Sequence, residues 1–415
     1  MAYQQIDGVR VWGNPEPGAL EQAKMCAQTG SVVQTLLMAD HHKGYSQPIG
    51  GVVVYDGQIS PSGVGYDIAC GNKAVRTRLF AQDVKPNLAA VMDEIARSIS
   101  FGVGRVNRDK LDHELFDDPD WSVYRAIGKQ EHDKLKALAR DQLGTVGSGN
   151  HFVDLFEEEG TGRLWIGNHF GSRGFGHKTA SGFINLVAGR EFLAGAPGEK
   201  MDQPPVLLDL HSELGDMYYR AMKLAGRYAY AGRDYVIGQV LAILGTEADL
   251  EVHNHHNYAW KETHNGKDVI VVRKGATPSA PGQTGFIGGS MGDISVIVRG
   301  RDTEENRDAY YSTVHGAGRI MSRTQAAGRM NWKTRRRSGG QISMEQMLEA
   351  VRRFGVELTA RARTRARSCT ESCRRCWMRT ARRSRCCMCS GPSASAWPGR
   401  TNSIRIRTDG RRPRR

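Results

Sequence analysis

The sequence predicts an α+β fold, in which helices and strands follow one another with glycine-rich loops between them. Apolar residues recur at helical spacing over residues 129–142 and 212–244, as amphipathic helices require. Short apolar runs at residues 52–55 and 269–272 favour buried strands. The chain also holds 49 glycines in 415 residues, which indicates tight turns and positions where the backbone approaches a ligand closely.

Five helices are expected in all. They are predicted at residues 18–28, 86–99, 129–142, 212–244 and 344–354, with Gly226 and Gly232 as candidate breaks in the fourth. A short strand precedes the first helix. Residues 31–82 predict tight loops between short strands, and residues 143–178 predict glycine-rich loops. Residues 247–300 predict strands and turns, with one strand at 294–298.

The positive charge is confined to one end of the chain. The net charge is +14, and residues 361–415 hold 17 arginines, no lysine and two acidic side chains. Residues 1–360 hold 41 basic and 42 acidic side chains. A basic protein is expected to bind nucleic acid, but the near-neutral body of this chain gives no such indication.

The basic end also differs in composition from the body. Residues 361–415 contain no Leu, Val, Lys or His, but six of the eight cysteines, so they cannot form an ordinary apolar core. Three interpretations remain open: a disordered arm that binds RNA phosphates, a zinc knuckle at Cys373 and Cys376, and a wrong-frame translation of a GC-rich gene. We expect a catalytic domain at residues 1–358 and an Arg/Cys-rich tail at residues 359–415.

Several protein classes are disfavoured by the body of the chain. It has no run of about twenty apolar residues and no basic start followed by an apolar stretch. Cys26 and Cys70 are its only two cysteines, too few for a secreted fold held by disulfides. We therefore expect a cytoplasmic protein without a membrane span.

Potential metal ligands occur in several short motifs. Each motif is weak alone, but a thiolate, a carboxylate and several imidazoles together suit Mn, Fe or Zn better than Mg. The motifs are Asp67 and Cys70 within residues 65–71, His151 within 147–152, His169 followed by Arg173, and the tract of His253, His255 and His256.

A further histidine begins a turn of small residues. His315 precedes Gly316, Ala317 and Gly318, with Arg319 behind them. Exposed backbone amides and an arginine suit a nucleotide phosphate. An imidazole is a competent nucleophile towards phosphorus. This motif therefore suits a nucleotide phosphate placed beside a candidate nucleophile.

Together, these motifs resemble the RtcB family of RNA-splicing ligases, and they occur in the family's order. The resemblance extends from about residue 5 to about residue 355. The segments that carry it are residues 40–45, 48–51, 60–71, 147–152, 169–174, 256–257, 289–292 and 315–319, of which SPSGVGYDIACG and HGAGR are the most specific.

The resemblance implies a single large α+β domain that uses GTP and two Mn²⁺ ions. It implies that His315 becomes guanylylated and that Arg173 holds an RNA phosphate. The implied metal ligands are Asp67, Cys70 (bridging both ions), His151, His169 and His256. The implied nucleotide contacts are Asn150, His151, Phe152, Asp154, Asn257, Gly288, Gly289, Ser290, Met291, Ser295, His315, Gly316, Ala317 and Gly318.

The implied reaction joins RNA ends in tRNA splicing or RNA repair. A 2′,3′-cyclic phosphate is opened to a 3′-phosphate, with Asp40 and His42 as candidate helpers. His315 then takes GMP from GTP and passes it to the 3′-phosphate, and a 5′-hydroxyl displaces it. An accessory activator protein is a further expected partner.

The chain departs from the family's pattern at several positions. Asp154 replaces a frequent Glu, Gly288 replaces a usual Pro, and the tail lacks the lysine with which the family contacts guanine nucleotide. Two alternatives therefore stay open: a metal-dependent phosphoesterase acting on RNA ends without guanylylation, and an RNA-binding protein that acts through its basic tail.

Overall fold

Helices and strands are interspersed in the computed structural model, which describes residues 3–107, 110–195, 198, 200–289, 294–318, 325–326, 328–331, 336–343, 345–346 and 349. They confirm the predicted α+β fold. The α-helices of these residues are α1 (Pro17–Ala27), α2 (Pro61–Val64), α3 (Ala81–Val84), α4 (Leu88–Ser98), α5 (Ser122–Ile127), α6 (Lys129–Gln142), α7 (Arg173–Val187), α8 (Glu213–Leu244) and α9 (Glu304–Asp308).

The strands of the described residues form two main sheets and four two-stranded ones. They are β1 (Gln4–Ile6), β2 (Val9–Val11), β3 (Val32–His42), β4 (Ile49–Tyr55), β5 (Gln58–Ile59), β6 (Gly71–Phe80), β7 (Phe152–Glu157), β8 (Arg163–Phe170), β9 (Leu208–Asp209), β10 (Ala248–His255), β11 (Asn257–His264), β12 (Lys267–Lys274), β13 (Ala276–Pro278), β14 (Thr284–Ile287), β15 (Val296–Arg299), β16 (Ser312–Val314), β17 (Arg329–Asn331) and β18 (Arg336–Ser338).

The larger sheet has six strands in the order β1-β2-β3-β4-β12-β11. Its neighbours are antiparallel except for the parallel pair β2–β3. The apolar run Val52, Val53 and Val54 on β4 is fully buried, as expected for a strand covered on both faces. Strand β3 ends at His42, so Asp40 lies close to the end of this sheet.

The second sheet has four antiparallel strands in the order β10-β6-β8-β7. Gly71, which begins β6, pairs with both His255 at the end of β10 and Phe170 at the end of β8. Phe152, which begins β7, pairs with His169. In an antiparallel sheet, one strand begins where its neighbour ends. The starts of β6 and β7 and the ends of β8 and β10 therefore meet at one end of this sheet.

Helix α8 runs unbroken for 32 residues, so the predicted breaks at Gly226 and Gly232 are wrong. Both glycines instead allow aromatic rings to approach the helix. A Cβ at Gly226 would lie 3.0 Å from the ring of Tyr258, and one at Gly232 would lie 3.3 Å from the ring of Phe170. Helical glycines therefore serve close packing here, which local sequence cannot distinguish from a break.

Two segments predicted as mostly loop are more regular than expected. Residues 143–178 contain β7, β8 and the start of α7, and residues 31–82 contain strands of 11 and 10 residues. In β8 seven consecutive residues, 164–170, are buried. A strand buried on both faces lacks the polar alternation by which strands are recognised. The glycines and histidines of these segments favoured a loop prediction, so the strands were not recognised from the sequence.

Some predictions fall outside the described residues. They are most of the helix at 344–354, the tail at 359–415, and the nucleotide contacts Ser290 and Met291. In the part of the chain that the structure does describe, every helix is too short or too polar to cross a membrane.

Candidate active site

The loop before β6 turns Asp67 and Cys70 towards the same side. The Cys70 amide donates to the Asp67 carbonyl at 3.0 Å, and Ala69 between them has a left-handed φ of 57°. Ser172 anchors the loop, since its amide and its hydroxyl both donate to the carbonyl of Ile68. A Cβ at Gly171 would overlap the Asp67 carboxylate. The sequence therefore needs glycine where β8 leads into α7.

The side chains of Asp67, Cys70, His151 and His169 converge at this end of the four-stranded sheet. The Cys70 Sγ atom lies 3.4 Å from His169 Nε2 and 3.7 Å from His151 Nε2. Asp67 Oδ2 lies 2.9 Å from the same Nε2 of His151. The structure thus brings together four of the five side chains predicted as metal ligands.

Hydrogen bonds fix which nitrogen of His169 has a lone pair. The Asn72 side-chain amide donates to the carbonyl of Phe286 at 2.8 Å, which directs Asn72 Oδ1 towards His169. His169 Nδ1 lies 2.6 Å from that oxygen and therefore carries the proton. Its Nε2 keeps the lone pair and faces Cys70, the orientation that outer partners give to metal-binding histidines.

His151 has two candidate partners at Nδ1, the Val146 carbonyl at 2.9 Å and Arg173 Nη1 at 3.1 Å. One nitrogen cannot donate to the first and accept from the second at once. Donation to the Val146 carbonyl leaves the lone pair on Nε2, where Asp67 and Cys70 lie. This tautomer is the one that suits a metal ligand.

His256 is the fifth predicted ligand, and it borders the other four. Its ring stacks on that of His169 with centroids 5.0 Å apart. Its backbone amide donates to the Cys70 carbonyl at 2.8 Å. The Nδ1 atom of His256 is buried without a hydrogen-bond partner among the described residues. Leaving a buried ring nitrogen without a partner costs free energy, which coordination to a metal ion would remove.

Burial and charge set the protonation of these groups. Burial lowers the pKa of His169 and His256 well below the ordinary value, so both rings are neutral near pH 7. Burial alone would raise the pKa of Asp67, but the neighbouring His151 and Arg173 bring it down to about 2. Burial and the Asp67 charge raise the pKa of the Cys70 thiol well above its usual range.

This donor set fits a divalent transition-metal ion. Neutral imidazoles and an ionised carboxylate are ready to coordinate. A thiolate at Cys70 requires a nearby positive charge, which such an ion supplies. The unpaired Nδ1 of His256 would gain a partner. We call Asp67, Cys70, His151, His169 and His256 the candidate metal centre.

His315 lies at the margin of this centre. Its ring is 5.0 Å from that of His256, between centroids. Its Nδ1 lies 2.7 Å from Oδ2 of the buried Asp40 carboxylate. The same oxygen accepts from the amides of His315 and Gly316 at 3.0 and 3.1 Å. Asp40 therefore holds the loop of His315 through two backbone amides and places its carboxylate beside the ring.

Several predicted nucleotide contacts border His315. Gly316 forms a bridge with Gly288. A Cβ at Gly288 would lie 3.1 Å from the ring of Phe152. The Phe152 ring stacks on His169 at 5.5 Å. A surface of small residues and one aromatic ring therefore connects His315 to the metal centre.

The other predicted contacts lie around this surface. Asn150 Nδ2 is 3.1 Å from His169 Nε2. Asn257 is engaged with the backbone of Asp67 and Gly275. The Ser295 hydroxyl accepts from the amide of Gly289.

Asp154 lies opposite Gly167 in the β7–β8 ladder. Gly318, at a φ of +71°, approaches Asp40, since a Cβ there would lie 3.4 Å from the Asp40 Cβ. Ala317 is partly buried, and His42 Nδ1 lies 3.0 Å from the Lys43 carbonyl.

The sequence interpretation missed Asn72 and Arg233. Asn72 lies two residues beyond Cys70, inside a strand, so its position gave a weak signal. Arg233 lies in α8 and donates to His253 Nε2 at 2.8 Å and to His255 Nδ1 at 3.0 Å. The histidine tract therefore divides in two, with His256 alone joining the metal centre.

Fold and site together define a candidate metal centre with His315 beside it. A family model described as tRNA-splicing ligase RtcB matches residues 22–352. The RNA-splicing ligase RtcB of Escherichia coli (strain K12) is 36% identical over 312 residues, which cover 70% of this chain and 74% of that protein. The tRNA-splicing ligase RtcB of Thermococcus kodakarensis is 32% identical over 374 residues, which cover 74% of this chain and 77% of that protein.

The tRNA-splicing ligase RtcB of Methanococcus maripaludis is likewise 32% identical, over 382 residues that cover 75% of this chain and 78% of that protein. The chain belongs to the RtcB family, which confirms the resemblance inferred from its motifs.

Proposed function

We propose that this chain, an RNA ligase by its family, depends on Mn²⁺ and GTP and acts through a guanylylated His315. It joins RNA ends that carry a 3′-phosphate or 2′,3′-cyclic phosphate to ends that carry a 5′-hydroxyl, in tRNA splicing or RNA repair. A cytoplasmic location and an accessory activator protein remain predictions from the sequence.

The geometry of His315 is the observation that carries this proposal. Asp40 lies 2.7 Å from Nδ1 of His315, so its charge favours the proton on that nitrogen. Nε2 then keeps the lone pair and is the nucleophilic atom. The ring lies beside His256 of the candidate metal centre, where a phosphate held by metal would be within reach.

Two Mn²⁺ ions would be held by Asp67, Cys70, His151, His169 and His256. When bound, they would neutralise charge on the phosphates and activate water for opening a cyclic phosphate. The protein's own contribution is to orient the ligand imidazoles, through Asn72 for His169 and the Val146 carbonyl for His151.

The neighbouring residues suit the two substrates. We assign the surface of Phe152, Gly288 and Gly316 to the guanine nucleotide, because Gly and an aromatic ring allow close approach and stacking. We assign Arg173 to RNA phosphate. Its Nε is buried without a partner among the described residues, and a phosphate oxygen would satisfy it.

Covalent labelling tests the central step. The protein is incubated with α-labelled GTP and Mn²⁺, and an adduct that is labile in acid but stable in alkali is identified as a phosphoramidate. His315→Ala should lose the label completely, whereas His211→Ala, at an exposed histidine, should keep it. Absence of label from the wild-type chain would count against guanylylation.

The alternative function, a phosphoesterase on RNA ends, needs the metal centre but not His315. It predicts GTP-independent opening of a cyclic phosphate that survives His315→Ala, with no ligated product in the wild type. A ligase predicts that the same variant loses joining and keeps the opening of the cyclic end. Product analysis on one end-labelled RNA separates the two.

Asp40 contacts His315, so we propose that it orients the nucleophile. Asp40→Asn should reduce the rate of guanylylation by about 10²–10⁴-fold, the range typical for loss of such a partner. Metal affinity should stay unchanged. Any help from Asp40 or His42 in opening cyclic phosphate would show as a loss of that step in Asp40→Asn or His42→Ala.

We also assign the activity to residues 1–358 and none of it to the tail at 359–415. A chain ending at residue 358 should label with GMP as fast as the full chain. A loss of RNA binding on truncation, with a steep salt dependence in the full chain, would instead favour the basic-arm interpretation.

A further inference from the structure

Arg233 is a fully buried guanidinium in the middle of α8. Within the described residues, its hydrogen bonds go to two backbone carbonyls and two imidazoles, all uncharged. Burying a cation among uncharged acceptors is costly, and an apolar side chain would fill the same space at less cost. The presence of an arginine at this position is therefore best explained by the groups that accept its hydrogen bonds.

One nitrogen of Arg233 joins the two segments that carry metal ligands. Its Nη1 donates to the Ala69 carbonyl at 3.0 Å and to the Phe170 carbonyl at 2.6 Å. Ala69 immediately precedes Cys70, and Phe170 immediately follows His169. The loop that carries the thiol and the strand that carries the imidazole are thus tied to a single atom.

The other two nitrogens of Arg233 hold the guanidinium plane in place. Nε donates to His253 Nε2 and Nη2 donates to His255 Nδ1. Both histidines lie on the same face of β10, two residues apart. A planar group with donors in fixed directions can serve four acceptors at once, which a lysine ammonium cannot do in this geometry.

We propose that Arg233 is a positioning residue for the metal centre, which sets the separation of Cys70 and His169 by binding the carbonyls next to them. The proposal rests on the metal site of the proposed function. It assigns a role to two histidines, His253 and His255, that the metal centre leaves outside: they orient Arg233.

Cobalt(II) binding tests this, because a Cys–Co²⁺ bond gives a charge-transfer band and the visible spectrum reports coordination geometry. Arg233→Lys and Arg233→Met are compared with Arg227→Met, a matched change on the same helix at an arginine that pairs with Asp118 and Asp120 at the surface. Thermal unfolding of each metal-free protein shows whether it folds.

We expect Arg233→Lys to fold like the wild type, to bind Co²⁺ about 10- to 100-fold more weakly, as loss of an outer partner typically does, and to show an altered band. Arg233→Met should lose more, and Arg227→Met should match the wild type. Wild-type affinity and spectrum in a folded Arg233→Lys would overturn the proposal. So would joint loss of folding and Co²⁺ binding in Arg233→Lys, because Arg233 would then be a core residue only.

These readouts are separate from guanylylation. If wild-type protein binds Co²⁺ through Cys70 but takes no label from GTP, the proposed ligase mechanism fails while the role of Arg233 is still decided by the spectra. If the wild type shows no thiolate–Co²⁺ band at all, the metal centre itself is refuted and the role of Arg233 with it.

Discussion

Two groups of potential metal ligands in the described residues each bring their donor atoms within 4.8 Å of one another, but their surroundings differ. One is the group of Cys70, His151 and His169 in the candidate metal centre. The other joins Asp234, Glu251 and His253 at the outer side of β10, and we call it the Lys73 cluster after the lysine that it surrounds. Both groups contain residue types that bind metal ions, so ligand type and proximity alone would make them equal candidates for a metal site.

The difference is where the positive charge comes from. In the Lys73 cluster the ammonium of Lys73 lies 2.5 Å from Asp234 and 2.8 Å from Glu251. The lone pair of His253 is taken by Arg233. The protein itself thus satisfies these donors, whereas in the metal centre Nδ1 of His256 has no hydrogen-bond partner within the described residues, and Nε2 of His169 faces the uncharged Asn150 amide and the Cys70 thiol. Candidate metal sites are therefore better recognised by unsatisfied donors than by ligand type.

The largest expected effect follows from removing the thiol. Cys70→Ala should lower the affinity for Mn²⁺ or Co²⁺ by more than about 100-fold and abolish ligation, because the remaining imidazoles lose the ligand that lies between them. Glu251→Gln in the Lys73 cluster is the matched control and should change neither. Isothermal titration with each ion measures both. Equal losses in the two variants would show that the comparison is wrong.

A smaller loss of metal affinity is expected from substituting Asn72, which contacts the ligand His169. Asn72→Leu should weaken metal binding by about 10- to 100-fold, because His169 loses the acceptor that keeps its proton on Nδ1. Asn72→Asp retains an oxygen for that proton and should bind within a few-fold of wild type. If both substitutions behave alike, orientation of His169 is not what Asn72 contributes.

The side chains that converge at the candidate site could be chosen from the sequence more readily than the strands and buried partners that hold them. Asp67, Cys70 and His315 stand in short motifs that are weak alone but informative in combination. Strand β8 was missed, because seven buried residues in a row give no alternation. The partners of Arg233 lie 20 to 164 residues away in the chain. Contacts of that kind depend on sheet register, which local patterns do not encode.

The histidines that hold Arg233 should make stability depend on pH. Burial lowers the pKa of His253 and of His255 below the ordinary 6.5. The unfolded chain then binds more protons below pH 6.5, so stability is full above that pH and falls as the pH drops. Each histidine should cost about 2 kcal/mol of unfolding free energy between pH 7 and pH 5.

Urea unfolding of the metal-free protein at both pH values measures this cost. The double change of His253→Gln and His255→Gln should remove about 4 kcal/mol of the difference, while His169 and His256 still contribute theirs. An unchanged difference would mean that these two imidazoles are protonated in the folded protein, in conflict with their acceptance of hydrogen bonds from Arg233.

The smallest expected effect is the conversion of the Lys73 cluster into a weak metal site. Lys73→Ala leaves the carboxylates of Asp234 and Glu251, each about half exposed, without their cation. Two carboxylates with a histidine whose lone pair remains occupied make a poor site, so we expect a weak additional Mn²⁺ site with a dissociation constant on the order of millimolar. Made in a Cys70→Ala background, the change is measured without competition from the main centre. Binding as tight as that of the wild-type centre would show that Lys73 alone, and not the occupied lone pair of His253, keeps the Lys73 cluster from binding metal. No binding at all would show that the two carboxylates stay too far apart once the lysine no longer draws them together.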